Sequence, residues 1–297
     1  MSPWYPRAMH RAPTVSTFSI VARDPDTGDL GVATASKFLA VGAVVPYAVA
    51  DVGAVATQSH ANTAFGPRAI DALMAGIPLD LIDEAFQATD DQIALRQYGM
   101  VDASGDAVTF TGDDCHPWAG GQVRANVAAQ GNLLTGPDVI DALIAGFEAH
   151  GGAFPERLLA GLHAADRAGG DRRGRQSAAL LVVRDEGGYG GQSDRYVDLR
   201  VDDDADPVPR LQALLALQRL YFERPDRGAL VAIDGDFAER LLRVLRAAGE
   251  DPGERWGGSA EAALRAVAGI ENLEERLVEP GLVDPAVLEH LEARYRD

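Results

Sequence analysis

The chain has 297 residues and a formal charge of −18, from 27 basic and 45 acidic side chains. That acid excess excludes a nucleic-acid binder, which needs a basic surface to neutralise phosphate. The single cysteine, Cys115, excludes a disulfide framework and any cysteine-based zinc site. The apolar runs are too short to span a bilayer. Residues 1–16 carry Arg7 and Arg11 without the apolar stretch of a secretory leader, so the expected setting is the cytoplasm, with no membrane partner. The length leaves room for a second small domain. Of the 27 basic side chains only Lys37 is a lysine.

In chain order, residues 17–60 read as strands. Thr17–Asp24 runs into a turn rich in turn formers, Asp24-Pro25-Asp26-Thr27-Gly28. Gly31–Leu39, Val41–Val49 and Gly53–Gln58 follow, apolar enough to be buried on both faces. Tyr98–Asp102 and Ala107–Thr111 flank a hairpin signal at residues 103–106.

An internal echo organises the middle of the chain. Val55-Ala56-Thr57-Gln58 returns as Val127-Ala128-Ala129-Gln130, and the segment from Gly66-Pro67 to Gly76 returns from Gly136-Pro137 to Gly146. Each copy reads as a strand, a loop holding Asn62 or Asn132, and a helix entered at proline, where the missing N–H costs nothing. Ile140, Leu143, Ile144 and Phe147 share one helical face. Packing accounts for the helices, and the two loops are candidates for a shared site.

Ser177–Arg184 is a further buried strand, and Arg195–Asp202 alternates as a half-buried one. The acidic run Asp202–Asp206 before Pro207 marks a boundary, and a solvated linker explains it better than a calcium site. Everything after Pro209 reads as helix, with segments at Leu211–Tyr221, Phe237–Ala248 and Pro285–Tyr295, the last behind an Asp284 cap. Strands followed by helices imply a sheet domain with a helical appendage.

The six histidines show no metal-ligand spacing, and His150 and His163 are expected at helix ends on the surface. Cys115 and His116 are adjacent, so in extended chain they point apart. The Gly187–Gly191 loop lacks the Lys-Ser/Thr ending of a phosphate loop and reads as a turn.

Thr17 opens the first hairpin. A threonine whose own α-amine is free can act as a nucleophile, because that amine titrates near neutrality and serves as base. A lysine on the neighbouring strand would depress the amine's pKa, and Lys37 occupies such a place. The alternative is that Thr17 only starts a strand, as β-branched residues often do.

The run from Thr17 to Pro25, with Ala40–Pro46, Gly53–Gln58, Gln130-Gly131-Asn132, Gly170–Ala178, Gly188–Gly191 and Tyr196–Asp203, resembles the DUF1028 family, collinearly over residues 17–208. The resemblance implies a fold similar to the N-terminal-nucleophile (Ntn) hydrolases, an α+β, four-layer αββα sandwich, while leaving the substrate undefined. Residues from Phe237 to Ala286 resemble a small helical module found after some members and labelled for peptidoglycan binding. That label sits badly with the lack of an export signal. Many members begin Met-Thr-Phe-Ser, so that loss of methionine exposes threonine. Here Ser16 precedes Thr17, so either the Ser16–Thr17 bond is cut autocatalytically, or the nucleophile is unprocessed and weak, or this member is not a hydrolase.

The remaining roles follow from what amide hydrolysis needs. An oxyanion must meet fixed donors, and the side-chain amides of Gln58, Asn62, Gln130 and Asn132 lie at the ends of the echoed strands, with Asn132 the first choice. Loop capping is the competing role for each. Arg172 and Arg173, in the basic cluster Asp171–Arg175, match an anionic substrate; ion pairing with Asp202–Asp204 is the alternative.

The expectation is therefore an N-terminal extension or propeptide at 1–16, an Ntn-like domain at 17–208 and a helical module at 209–297. The expected activity is hydrolysis of an amide bond in a small anionic metabolite or peptide. Thr17, Lys37 and Asn132 would form the catalytic set, and Gln58, Asn62, Gln130, Arg172 and Arg173 would contact substrate. Ser19 and Ser36 are fallback hydroxyls. No cofactor or metal is called for, and self-association is expected. The rival is a non-catalytic ligand- or partner-binding protein on the same fold.

Overall fold

The first hairpin forms as its residue pattern requires. In the computed structural model, which describes residues 17–295, β1 (Thr17–Arg23) and β2 (Leu30–Ser36) pair antiparallel from Thr17 opposite Ser36 to Arg23 opposite Leu30. Residues 1–16, the expected extension, lie outside the described residues. The stretch 41–49 does not form one strand. Val41 gives its N–H to Ser177 Oγ and Val45 gives its own to Val41 O, so residues 41–43 make a 3-10 turn and only β3 (Pro46–Val49) joins a ladder.

β4 (Gly53–Ser59) leads into α1 (Phe65–Met74) and α2 (Leu79–Thr89). Pro67 sits in the first turn of α1, where a missing N–H is tolerated. β5 (Arg96–Asp102) and β6 (Ala107–Thr111) are the foreseen hairpin, closed by Asp102 Oδ1, which accepts the N–H groups of Ser104, Gly105 and Asp106 at 2.8–3.0 Å. β7 (Gly120–Arg124) was not foreseen, since its two glycines and mostly polar side chains hide a strand. β8 (Val127–Gly131), α3 (Asp138–Ala149), α4 (Phe154–Arg167), β9 (Ser177–Val183) and β10 (Arg195–Val201) complete the order. Ile140, Leu143, Ile144 and Phe147 are all buried, as their spacing demands. His163 lies inside α4 rather than at an end, with Nε2 buried.

Two antiparallel sheets result, in the orders β10-β9-β2-β1-β8-β7 and β3-β4-β5-β6. The period of two in each strand divides its side chains between the other sheet and a pair of helices. Val21, Val32, Ala54, Ala56, Val101 and Ala128 pack together from both sheets. On the opposite faces, α3 and α4 contact the six-stranded sheet and α1 and α2 the four-stranded one. At Gly31 a Cβ would lie 2.8 Å from Leu158 Cδ1 of α4 and 3.0 Å from Leu181 O, so a larger residue there would make its neighbours shift.

The chain divides into two compact units between Ala213 and Leu214, inside α5 (Pro207–Phe222). The sequence boundary after residue 208 falls five residues earlier, because α5 starts where the acidic run ends and continues past residue 208. The second unit contains β11 (Val231–Ala232), α6 (Gly235–Ala247), α7 (Gly258–Ile270), β12 (Leu282–Val283) and α8 (Pro285–Arg294). It is thus not wholly helical: β11 and β12 pair antiparallel, each too short to show alternation in sequence. Leu241, Leu245, Leu264, Val267, Val283, Val287 and Leu291 form its core.

Arg276 ties this second unit together. It is 8% exposed and donates from Nε to Leu220 O at 2.8 Å, from one terminal nitrogen to Asp284 Oδ2 at 2.7 Å, and from the other to Arg219 O. Asp284 in turn caps α8 by accepting the Ala286 N–H at 2.9 Å. Among the described residues no helix is long and apolar enough to cross a membrane, and no group of three or more candidate ligands is placed to hold a metal.

Candidate functional site

The interface between the sheets is apolar at one end and polar at the other. At the end where β1 begins, Thr17, Ser19, Gln58, Gln97, Gln130 and Asn132 are all fully buried. Alternation places them there: Val21 packs between the sheets, so Ser19 and Thr17 point the same way. On β8, Ala128 fixes the direction of Gln130, and on β5, Val101 fixes those of Gly99 and Gln97. Gly99 is the point of closest approach, since a Cβ there would stand 2.0 Å from Gln130 Oε1.

Backbone carbonyls lock the orientation of these amides, because a carbonyl can only accept. Gln97 Nε2 lies 2.7 Å from Gly131 O and 3.3 Å from Gly120 O, and also bonds Thr111 Oγ1 at 2.9 Å. Its Oε1 must therefore face the other way, where it accepts from Gln58 Nε2 at 2.9 Å and Asn132 Nδ2 at 2.8 Å. Gln58 Nε2 also reaches Thr17 O at 3.2 Å, so Gln58 Oε1 accepts the Ser19 hydroxyl at 2.6 Å. Having donated its proton, Ser19 accepts from Gln130 Nε2 at 2.7 Å, and Gln130 Oε1, at 3.2 Å, shares the Thr109 hydroxyl proton with Tyr98 O at 3.1 Å.

One atom is left over. Asn132 Oδ1 is buried and has no hydrogen-bond partner among the described residues. Asn132 lies opposite Thr17: its N–H donates to Thr17 O at 3.0 Å, continuing the register in which Phe18 faces Gly131. An orphaned buried acceptor costs about 1–3 kcal/mol, and here it stands beside the first residue of β1. The arrangement can supply an acceptor and the second Asn132 N–H at that place.

The other sequence candidates fall elsewhere. Lys37 follows Ser36, the cross-strand partner of Thr17, but it is exposed, and its Nζ donates to Arg175 O at 3.1 Å. Asp171, which the sequence presents only as part of a basic cluster, is the hub of that loop. Its buried carboxylate accepts the Lys37 N–H at 2.9 Å and two side-chain bonds from Arg173 at 2.7 and 3.1 Å. Arg173 is thereby committed to Asp171, whereas the Arg172 side chain is exposed. The fallback hydroxyls also divide: Ser19 is spent in the amide network, and Ser36 lines a cavity of about 610 Å³ on the helix side of β1.

Asn62 serves its own loop. Its Oδ1 accepts the Ala64 N–H at 3.2 Å and its Nδ2 donates to Asp90 Oδ2 at 2.9 Å. Burial alone would raise the Asp90 carboxyl, but hydrogen bonds from Arg96, Asn62 and the Gln92 backbone, with the Arg96 charge, hold it below the usual aspartate range. A carboxyl depressed on folding stabilises above its unfolded pKa of about 3.9 and loses that contribution as pH falls through the folded value. Denaturant midpoints should therefore decline below about pH 4, and Arg96→Gln should flatten that decline; an unchanged slope would remove Asp90 from the account.

Residues 17–211 match the model of a family of unknown function, DUF1028, and the chain belongs to that family. Residues 221–291 match a model described as a "putative peptidoglycan binding domain". The crystal structure of a DUF1028 protein from Silicibacter pomeroyi is similar to this chain, at 30% identity and a TM-score of 0.63, over 75% of this chain and 92% of that one. No protein of curated function matches.

Proposed function

We propose that the first unit is an amide hydrolase of the N-terminal-nucleophile type, built on the four-layer αββα arrangement of that class, with Thr17 as nucleophile. The orphaned Asn132 Oδ1 opposite Thr17 carries the reading. A buried acceptor without a donor fits a group that arrives later, and an α-amine released at Thr17 is such a donor.

In the proposed reaction Thr17 Oγ attacks the amide carbonyl carbon and its proton passes to the α-amine. The oxyanion draws on the remaining Asn132 N–H. The amine leaving group takes the proton back, and water then cleaves the acyl-threonine ester to free the acid. Lys37 would tune the amine once its Nζ leaves Arg175 O; its backbone is already anchored by Asp171. Gln58 positions Thr17 through the Thr17 carbonyl.

Because Thr17 and its polar neighbours are buried, cleavage ahead of Thr17 has to come first. Intact mass and N-terminal sequencing of the purified full chain test this. The wild type should start at Thr17, and Thr17→Ala should keep the residues ahead of position 17. If both chains keep them, the hydrolase reading fails. The sealed site would then favour the rival, a non-catalytic binding protein.

A further inference from the structure

The cavity on the helix side of β1 holds about 610 Å³, enough for a small organic ligand, and its wall is divided. Phe18, Ala35, Pro207 and Val208 give it an apolar side, while Asp166, Arg167, Asp171 and Arg175 give it a charged one. The charges are not equivalent. Asp166 accepts from Arg175 Nε at 2.7 Å, and Arg175 also bridges to Asp206 at 3.1 Å. Asp171 is saturated by Arg173 and the Lys37 N–H. Both acidic groups of the wall therefore already hold arginine.

Arg167 differs. It closes the last turn of α4 and is exposed, and its side chain makes no ion pair or hydrogen bond among the described residues. The cavity thus has a wall arginine without an acidic partner and an apolar surface beside it. A guanidinium fork matches a carboxylate through two parallel N–H···O bonds.

We infer that this cavity binds a small carboxylate with a short aliphatic body, the carboxylate on Arg167 and the body against the side lined by Phe18, Ala35 and Pro207. The site adjoins Thr17 through Phe18 and Ser36. It lies on the face of β1 opposite the Thr17 side chain, so binding there does not depend on turnover.

The test titrates the full chain with 4-methylpentanoate and with 4-methylpentanamide, a neutral isostere, by ligand-observed NMR and calorimetry. The acid should bind about tenfold or more tightly than the amide, as charge-assisted pairing requires, and added salt should narrow the gap. Arg167→Gln should erase the preference while amide binding stays. Arg224→Gln, in the second unit, should keep the preference. Equal binding of acid and amide, no binding of either at millimolar concentration, or a preference that survives Arg167→Gln would each overturn the inference. The NMR spectra also report any conversion of amide to acid. A chain that prefers the acid yet converts nothing therefore keeps this inference and counts only against the hydrolase reading.

Discussion

Arg276→Ala is expected to destabilise the second unit by about 3–5 kcal/mol, the usual consequence of removing one partner of a buried ion pair. The guanidinium joins the C-terminal part of α5, through the carbonyls of Arg219 and Leu220, to Asp284 at the head of α8. Its loss leaves two carbonyls and a largely buried carboxylate without their donor. Asp284 keeps its cap on α8, but the segment carrying that cap is no longer held. Arg276→Lys keeps the charge and forfeits the fork, so it should fall between wild type and alanine. Hydrogen exchange reads the result by unit: amides of α6 and α8 should lose protection in Arg276→Ala while those of β1 and β8 keep theirs. Unchanged protection in α8 would show that the core around Leu241 and Leu288 suffices alone.

Gly99→Ala should cost the first unit a similar amount, about 3–5 kcal/mol, from overpacking together with broken buried hydrogen bonds. The new methyl would stand 2.0 Å from Gln130 Oε1, so Gln130 has to move. When it moves, Thr109 and Ser19 each lose one hydrogen bond. The double variant Gly99→Ala/Gln130→Ala is the decisive control. With the side chain gone the methyl has room, so the pair should cost less than the sum of its singles. Denaturant midpoints measure all three. Strict additivity would mean that the close approach at Gly99 is not what constrains the position.

Parts of this structure were legible because their causes are local. The turn at Asp24–Gly28, the Asp102 hairpin and the buried face of α3 are each written within a dozen residues. So was the echo that places Gln58 and Gln130 in facing sheets. The 3-10 turn at Val41 was not legible, because Ser177 causes it from far along the chain. Gln97 was missed for the same reason. It joins the amides of both echoed units, yet locally it is one polar residue in Arg-Gln-Tyr-Gly-Met. The signal available was a glutamine in register with Gly99 and Val101, on the face that a buried strand should keep apolar. Asp171 was hidden among arginines, and its importance lies in reaching back to Lys37. The sequence could mark Thr17 and Asn132 as candidates, but not that Asn132 would keep an unmatched acceptor beside it.

The amides between the sheets also bear on how the molecule ages. Their hydrogen bonds run in one sense, from Thr109 through Gln130, Ser19 and Gln58 to Gln97, and every step depends on which end of each amide carries hydrogen. Deamidation changes a side chain's outline very little, and on most surfaces it passes unnoticed. At Gln97 it would replace the donor that faces the carbonyls of Gly120 and Gly131 with an anion. The smallest covalent lesion open to this residue would then act as a steric insult does elsewhere, and a slow chemical clock would be wired directly to the cohesion of the two sheets.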